Sequence, residues 1–294
     1  MYDIASIYEA KSIDDAIRAL KADPGALVIA GGTDVLIKVR EGRLAGCRLV
    51  SIHGLASELA GVELRPNGDI EIGPLTTFRQ VAESPVIQAH IPVLGEAVDQ
   101  AGGPQLRAAG TIGGNVCNGI TSADSASTLF AWDAVVELTG QAGIRRLPIQ
   151  AFYRRAGVVD LRPDELLTGI LIPRAAYEGY RGHYIKYAMR NAMDIAICAC
   201  SVNVKLLDNK ETIEDARITF GVAGPVPLRC PAAEAIARGA AVSEETVEAF
   251  AAAVLEDIHP RDSWRASKDF REHIAVELAR RALRRAVELE GGTL

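Results

Sequence analysis

The first fifty residues alternate apolar runs with glycine and proline breaks, in a pattern that predicts a small α/β unit. The predicted elements are a helix opened by Ser12 and Asp15 and ended at Pro24-Gly25, a strand over Leu27–Ala30, a helix capped by Thr33-Asp34, and a strand over Arg48–Ile52. The Gly31-Gly32 pair breaks the first strand just before the second helix. A strand that leads through a glycine turn into a helix is a common arrangement in α/β units.

The pattern changes at Val62, where Pro66-Asn67-Gly68 separates two short apolar runs and predicts a hairpin. The elements predicted from there on are strands over Val62–Leu64 and Ile70–Ile72, helices over Thr76–Ala82 and Leu94–Ala101, a helix stop at Gly102-Gly103-Pro104, and strands over Ala134–Leu138 and Glu165–Ile172. This part of the chain therefore predicts an antiparallel sheet with helices.

A boundary is predicted between Pro173 and Gly182, where proline and glycine lie between ordered runs. Beyond it, the pattern predicts strands over Ile195–Leu206 and Ala216–Val222, a loop at Gly224-Pro225-Val226-Pro227, a helix from Ser243 through Val247, Phe250, Val254, Leu255 and Ile258, and a last helix through Phe270, Ile274, Leu278 and Leu283. We expect two domains, 1–176 and 182–294, the first divided at about residue 55 into 1–55 and 56–176. The fold class is α+β.

Composition narrows the class of protein. The 294 residues are 49% hydrophobic, enough for a sizeable core, and 38 acidic against 32 basic residues give a formal charge of −6. Nucleic-acid binders usually show a basic surface, so we expect no nucleic-acid partner. The N-terminus lacks the basic start and apolar run of a signal peptide, and no apolar run reaches the roughly 18 residues of a membrane span. We therefore expect a cytoplasmic protein without a membrane anchor.

Motifs for side-chain chemistry are absent from the sequence. The cysteines (Cys47, Cys117, Cys198, Cys200 and Cys230) form no C-x-x-C pair, and the five histidines form no H-x-x-x-H pair. We expect no metal site in this chain. Nor is there a G-x-S-x-G motif or a plausible Cys–His pair, so no nucleophilic residue is expected either.

Two Gly-Gly motifs are the strongest functional candidates. One is Ala30-Gly31-Gly32-Thr33-Asp34, and the other is Thr111-Ile112-Gly113-Gly114-Asn115. Glycine lets backbone N–H groups approach phosphate oxygens, and a helix start supplies partial positive charge. Either motif alone is equally well explained as a tight turn. Neither matches the Rossmann fingerprint or a P-loop, so the usual nucleotide folds are disfavoured.

Together and in this order, the two motifs resemble the FAD subunits of molybdenum hydroxylases, a group that includes carbon monoxide dehydrogenase and xanthine dehydrogenase. Further matches favour the xanthine dehydrogenase branch, namely Asn118–Ala126, Lys186–Arg190 with Asp194, and Ser263–Lys268. The resemblance spans nearly the whole chain. It implies a PCMH-type FAD fold, with the small α/β unit and the antiparallel sheet forming the FAD-binding domain and a three-stranded antiparallel sheet with helices at the C-terminus.

The resemblance also implies the residues that hold FAD. They are Leu27, Val28, Ile29, Ala30, Gly31, Gly32, Thr33 and Asp34 along the diphosphate, Thr111, Ile112, Gly113, Gly114 and Asn115 opposite them, Asp124 at a ribose hydroxyl, Leu167 near a ring, and Lys186 beside the flavin. For Asp124, the alternative is a helix N-cap. For Lys186, it is a solvated surface lysine.

The implied function is electron transfer within a complex of different subunits, doubled by a two-fold axis. A partner with the molybdenum cofactor would hydroxylate xanthine or hypoxanthine, and a partner with two-iron two-sulfur clusters would relay electrons to FAD in this chain, which would pass a hydride to NAD+. The alternatives are the FAD subunit of another molybdenum hydroxylase, acting on carbon monoxide, nicotinate or an aromatic acyl-CoA, or a stand-alone flavin oxidoreductase. A non-catalytic scaffold is a third, weaker alternative.

A basic stretch near the C-terminus has two interpretations. Its residues are Arg265, Lys268, Arg271, Arg280, Arg281, Arg284 and Arg285. A solvated helix face is the interpretation favoured by the pattern, and contact with a neighbouring subunit is the alternative.

Overall fold

A computed structural model describes residues 2–294, which begin with a three-stranded parallel sheet in the order β1-β3-β2. The elements are β1 (Ile4–Glu9), α1 (Ile13–Ala22), β2 (Leu27–Ile29), α2 (Val35–Arg40), β3 (Cys47–Ser51), a 3-10 turn over His53–Leu55, and α3 (Ala56–Leu59). Ser12 caps α1 as predicted, accepting a hydrogen bond from the Asp15 N–H. Strand β1 was not predicted; it is an edge strand whose side chains are mostly exposed, so it lacks an apolar face.

The second region is built on a five-stranded antiparallel sheet, in the order β4-β5-β10-β6-β7. Its elements are β4 (Val62–Leu64), β5 (Ile70–Ile72), α4 (Phe78–Glu83), α5 (Pro85–His90), α6 (Pro92–Asp99), α7 (Pro104–Ala109), α8 (Ile112–Cys117), α9 (Asp124–Ala131), β6 (Val135–Gly140), β7 (Gly143–Pro148), α10 (Ile149–Phe152), β8 (Tyr153–Arg155), β9 (Val158–Val159), β10 (Glu165–Ile172) and α11 (Arg174–Tyr177). The predicted hairpin is β4–β5, and its turn residue Gly68 has a φ of +87°. Pro104 starts α7 as well as following the stop of α6, because proline is suited to the first helical position.

The third region is a four-stranded antiparallel sheet, in the order β11-β12-β13-β14, with helices on one face. Its elements are β11 (Arg181–Tyr187), β12 (Cys198–Leu206), β13 (Ile213–Gly221), β14 (Leu228–Arg229), α12 (Pro231–Ala237), α13 (Glu244–Ala253), a 3-10 turn over Val254–Glu256, and α14 (Lys268–Leu289). The resemblance implied a three-stranded sheet, but the structure has a fourth strand, because the two-residue β14 pairs with β13 at the edge. Strand β12 starts at Cys198 rather than Ile195, because the preceding residues form a loop.

Helix α9 joins the second and third regions. All eight of its residues are buried, and it packs against β12 and β13 on the face of the sheet opposite α14. The Asn203 side-chain amide donates to the Ala131 carbonyl at 3.0 Å across this contact. The core is therefore continuous from the five-stranded sheet to β11. In the part of the chain described, no helix has the length and apolar character needed to cross a membrane.

The basic stretch divides into two parts in the structure. Arg280 and Arg284 on α14 pair with Glu248 and Glu244 on α13, and Arg281 pairs with Glu277 on its own helix. This part is a solvated face with ion pairs, as the sequence favoured. Arg265 and Arg271, near the start of α14, lie in different surroundings, described below.

Candidate cofactor site

The first glycine motif forms a turn whose backbone donors are free. It follows β2, and Gly32 has a φ of +70°, a conformation that favours glycine. Within residues 2–294, the N–H groups of Gly31, Gly32 and Thr33 have no hydrogen-bond acceptor. Asp34 occupies the N-cap position of α2, but its side chain makes no cap bond and instead pairs with Lys38. The turn therefore presents unpaired donors next to a half-buried apolar strand, Leu27–Ile29.

The second glycine motif forms the start of α8. Thr111 is its N-cap, and the Thr111 hydroxyl accepts from the Gly114 N–H at 3.2 Å. The N–H groups of Ile112, Gly113 and Asn115 also have partners inside the protein, at 2.9 to 3.0 Å. Contrary to the sequence-based expectation, the donors of this first turn are used by the fold and are not free for a phosphate.

The two glycines of this motif differ in their surroundings. A Cβ at Gly113 would lie 2.4 Å from the Pro74 side chain, so glycine is required there for packing. At Gly114, the Thr111 hydroxyl, 3.0 Å from such a Cβ, is the only heavy atom found within 4 Å in the described chain. Gly114 therefore faces open space, and a side chain there would extend into it.

The first glycine motif packs against Ala109 and Gly110, the two residues just before the second motif. A Cβ at Gly31 would lie 1.8 Å from the Ala109 carbonyl oxygen, and one at Gly110 would lie 3.4 Å from the Thr33 hydroxyl. Lys38 adds a bridge, since its ammonium bonds to Asn118 after α8 at 3.0 Å. Sequence reasoning placed the motifs on either side of one ligand, and these contacts bring the first motif close to the start of α8.

A buried ion pair lies beyond the second motif. Asn115 accepts a hydrogen bond from the Ser125 hydroxyl at 2.7 Å, and the adjacent Asp124 binds Lys186 on β11 at 3.0 Å. The side chains of Lys186 and Asp124 are only 7% and 10% exposed. The Tyr184 hydroxyl donates to the other Asp124 oxygen at 2.9 Å. Asp124 is the first residue of α9 and does not cap it, and Lys186 is not a solvated lysine.

Burial dominates the electrostatics of this pair. Desolvation raises the pKa of Asp124 above its usual value, while the charge and hydrogen bond of Lys186 act in the opposite direction. The pKa of Tyr184 is raised well above its ordinary value, by burial and then by the Asp124 charge, so Tyr184 acts as a hydrogen-bond donor. Sequence reasoning missed Tyr184; the available signal was its position two residues before Lys186, on the same face of a strand.

Lys186 also lines a cavity of about 310 Å³. The other lining residues are Gln100, Tyr187, Ala188 and the segment 190–194. The Lys186 ammonium donates to the Gln100 carbonyl at 3.0 Å, which fixes it at the cavity wall. Gln100 gave no signal in the sequence, because it contributes its backbone rather than its side chain.

Leu167 lies in a different position from the other predicted residues. It is buried in β10, opposite Leu138 of β6, in the same hydrophobic cluster as Ile112 and Val116 of α8. It is therefore part of the core that packs against α8. A series of contacts links the remaining predicted residues, from the Gly31–Asp34 turn through α8 to Asp124 and Lys186.

These features fit a flavin dinucleotide. Unpaired N–H groups at a glycine turn suit a diphosphate, a half-buried apolar strand suits the body of a long ligand, and a fixed ammonium suits a ring that gains negative charge on reduction. Asp124 has both oxygens engaged by Tyr184 and Lys186, so a ribose hydroxyl would have to share them.

Comparison with known proteins supports this interpretation of the site. Residues 3–175 match the FAD binding domain in molybdopterin dehydrogenase, and residues 183–286 match the CO dehydrogenase flavoprotein C-terminal domain. The xanthine dehydrogenase FAD-binding subunit of Escherichia coli O157:H7 is 42% identical over 294 residues, with 100% of each chain covered.

Two further relatives are informative. The nicotinate dehydrogenase FAD-subunit of Eubacterium barkeri is 32% identical over 225 residues, covering 76% of this chain and 75% of its own length. In the structure of carbon monoxide dehydrogenase from Hydrogenophaga pseudoflava, one chain superposes with a TM-score of 0.92 at 27% identity, covering 99% of both chains. The α+β architecture described above is thus the fold of that chain. The protein belongs to the FAD-binding subunits of the molybdenum hydroxylase family.

Proposed function

We propose that this chain carries the FAD of a xanthine dehydrogenase, receives electrons from an iron–sulfur subunit that is itself reduced by a molybdenum subunit, and passes them to NAD+. The observation that carries the FAD site is the Gly31–Thr33 turn with its unpaired N–H groups, packed against the residues just before the second glycine motif. The 42% identity over the full length supports the choice of xanthine dehydrogenase. The domain division at 1–176 and 182–294 is part of this proposal.

Each part of the site has a distinct role in the proposal. The Gly31–Asp34 turn binds the diphosphate through its N–H groups, and Leu27–Ala30 lines the ligand. Thr111–Asn115 contributes the open surface at Gly114, and Leu167 belongs to the core that packs against α8. Bound FAD supplies the chemistry that couples one-electron donors to two-electron acceptors.

Lys186 is the residue that we place beside the flavin ring. Its ammonium is fixed by Asp124 and the Gln100 carbonyl, and lines the cavity where we place the flavin ring. A fixed positive charge there stabilises negative charge that develops on reduction, without any reorganisation of the protein. Asp124 and Tyr184 hold the ammonium in place.

The visible spectrum of the purified chain tests the FAD site. We expect a flavin spectrum that NADH bleaches, and we expect Gly114→Val to lose it, because the side chain would enter the open surface where the ligand lies. Gly54→Val is the matched control, since a Cβ at Gly54 meets nothing closer than 4.0 Å and lies outside the site. A wild-type chain that fails to take up FAD would sink the proposal.

Substrate identity requires the complex. Purified with its partner subunits, the protein should reduce NAD+ with xanthine or hypoxanthine and not with nicotinate. The 32% identity to a nicotinate dehydrogenase FAD-subunit makes nicotinate the second candidate. Reduction of the flavin by xanthine in the isolated chain would instead indicate a stand-alone flavin enzyme.

A further inference from the structure

Arg271, near the start of α14, is a buried cation that pairs with no carboxylate of residues 2–294. The residue is 4% exposed, its Nη1 donates to the Ile197 carbonyl, and its Nη2 donates to the Ser263 hydroxyl at 2.8 Å. Its Nε has no partner among the described residues. Burial, and then the charges of Arg261 and Arg265, lower its pKa. Burying such a group costs free energy. Its two hydrogen bonds connect two surface segments, one containing Ser263 and the other containing Ile197.

The first segment is a tight turn that exposes a tryptophan. Ser263 and Ala266 exchange backbone hydrogen bonds at 3.0 and 3.3 Å, which places Trp264 and Arg265 at the tip. Trp264 is 79% exposed, more than any other large hydrophobic side chain described in residues 2–294, and the Arg265 guanidinium stacks on its ring at 4.2 Å. The guanidinium therefore covers one face of the indole, and most of the side chain remains exposed to a partner.

The second segment is the loop over residues 188–197. A hydrogen bond from the Ile197 N–H to the Tyr187 carbonyl, 2.7 Å long, closes the loop. The centroids of the Tyr187 ring and the Phe270 ring of α14 lie 6.0 Å apart. Three exposed apolar side chains project from the loop: Met189, Met193 and Ile195. Part of the same loop lines the cavity beside Lys186. The two segments form one surface next to the cofactor site, which we call the Trp264 surface.

The Trp264 surface carries charges of both signs: Arg190 pairs with Asp194 within the loop, Asp262 precedes the turn, and Arg265 lies at its tip. No carboxylate of residues 2–294 forms a salt bridge with Arg261, Arg265 or Arg271, whereas the arginines farther along α14 are paired. Exposed tryptophan, methionine and arginine are the residue types enriched at protein interfaces, and tryptophan and arginine dominate their binding energy. An acidic patch on a partner would complement Arg261 and Arg265, neither of which is buried or has a carboxylate partner among residues 2–294.

We propose that the Trp264 surface is the docking site for the iron–sulfur subunit, through an acidic patch on that subunit. Chains of this family are parts of multi-subunit complexes with molybdenum and iron–sulfur partners. The inference rests on the proposed function for the identity of the occupant, since an electron donor must approach the cavity that the 188–197 loop lines.

Site-specific photo-cross-linking tests the contact. The cross-linking amino acid p-benzoylphenylalanine replaces Trp264 in one variant and Ile144, which is 64% exposed on β7, in the control, each within the complete complex in cells. We expect the position-264 adduct to contain a peptide of the iron–sulfur subunit and the control to lack it. An adduct with a second copy or with the molybdenum subunit, or no adduct from position 264, would overturn the proposal.

Binding of the purified iron–sulfur subunit to the FAD-loaded chain gives an independent measure. Arg265→Glu reverses the charge at the tip, so we expect the Kd to rise roughly tenfold or more, with the flavin spectrum and its bleaching by NADH unchanged. An unchanged Kd in the variant would refute the docking site and leave the proposed function standing. A wild-type chain whose flavin NADH does not bleach would count against the proposed function instead, so the two failures are distinguishable.

Discussion

At the scale of single residues, the buried Lys186–Asp124 pair is the most informative feature. Its two side chains come from α9 and β11, and burial makes each depend on the other. Sequence patterns marked both residues through a family resemblance, but they did not indicate that the residues bind each other.

Lys186→Met should destabilise the protein by about 3 kcal/mol, because it leaves the Asp124 carboxylate buried without its counter-charge. Urea unfolding measures this loss. The double variant Lys186→Met/Asp124→Asn should recover part of it, since no unpaired charge then remains. Strictly additive effects of the two substitutions would show that the pair is not coupled.

Lys186→Met should also lower the reduction potential of bound FAD, because a fixed positive charge beside the reduced flavin is removed. Equilibration with a redox dye of known potential measures the change. Lys205→Met is a suitable control, as Lys205 also lies in the C-terminal sheet and pairs with Glu214 at the surface. An unchanged potential in Lys186→Met would place the flavin away from this ammonium.

At the scale of elements, helix α8 depends on its N-cap. Thr111→Ala removes the acceptor for the Gly114 N–H and should destabilise the protein by about 1 kcal/mol. Thr111→Ser keeps the hydroxyl and should retain most of the stability. Thermal unfolding of the two variants compares them, and equal losses would show that the hydroxyl does not cap the helix.

Strands β7 and β10 are linked by an ion pair that makes stability depend on pH. Arg145 binds both Glu165 oxygens at 2.7 Å. The pKa of Glu165 is lowered despite its burial, because Arg145 and the Arg162 N–H favour the charged form. A depressed pKa in the folded state contributes stability that is present above the unfolded value and lost as pH falls through the folded value.

Glu165→Gln should therefore be less stable than wild type at neutral pH, with the difference narrowing as the pH falls below about 4.5, the usual glutamate range. Urea unfolding between pH 3 and 7 measures it. A difference that stays constant with pH would show that the carboxylate charge does not contribute.

At the scale of the whole molecule, the contact between α9 and the C-terminal sheet joins the two parts of the chain. Four of its fully buried polar groups have an unpaired atom among the described residues: Ser127, Ser201, Asn203 and Thr219. Buried hydroxyls without partners are costly. This interface therefore contains removable destabilising groups.

Thr219→Val should leave the protein as stable or stabilise it by roughly 1 kcal/mol, because it replaces an unpaired hydroxyl with a methyl group of the same shape. Thr128→Val is the matched control. Thr128 is equally buried on α9, but its hydroxyl donates to the Ser125 carbonyl at 2.8 Å, so its loss should destabilise. The denaturant midpoints of both variants measure these changes in stability. A loss of stability in Thr219→Val would show that the Thr219 hydroxyl has a hydrogen-bond partner.

The sequence by itself determined the main elements, the α+β class and the family. The β4–β5 hairpin, the caps of α1 and α13 and the long α14 follow from local patterns, because turns, caps and amphipathic helices depend on neighbouring residues. The two glycine motifs were recognisable for the same reason. Edge strand β1 and the loop before β12 were missed, since neither shows a clear period.

Only the tertiary structure decided how the site is assembled. The contact of Gly31 with Ala109, the Lys186–Asp124–Tyr184 cluster and the bond from Arg271 to Ile197 each join residues far apart in the chain. The use of the α8 donors by the fold itself was also invisible in the motif. Such contacts arise from packing between elements, and local sequence patterns carry no information about which elements meet.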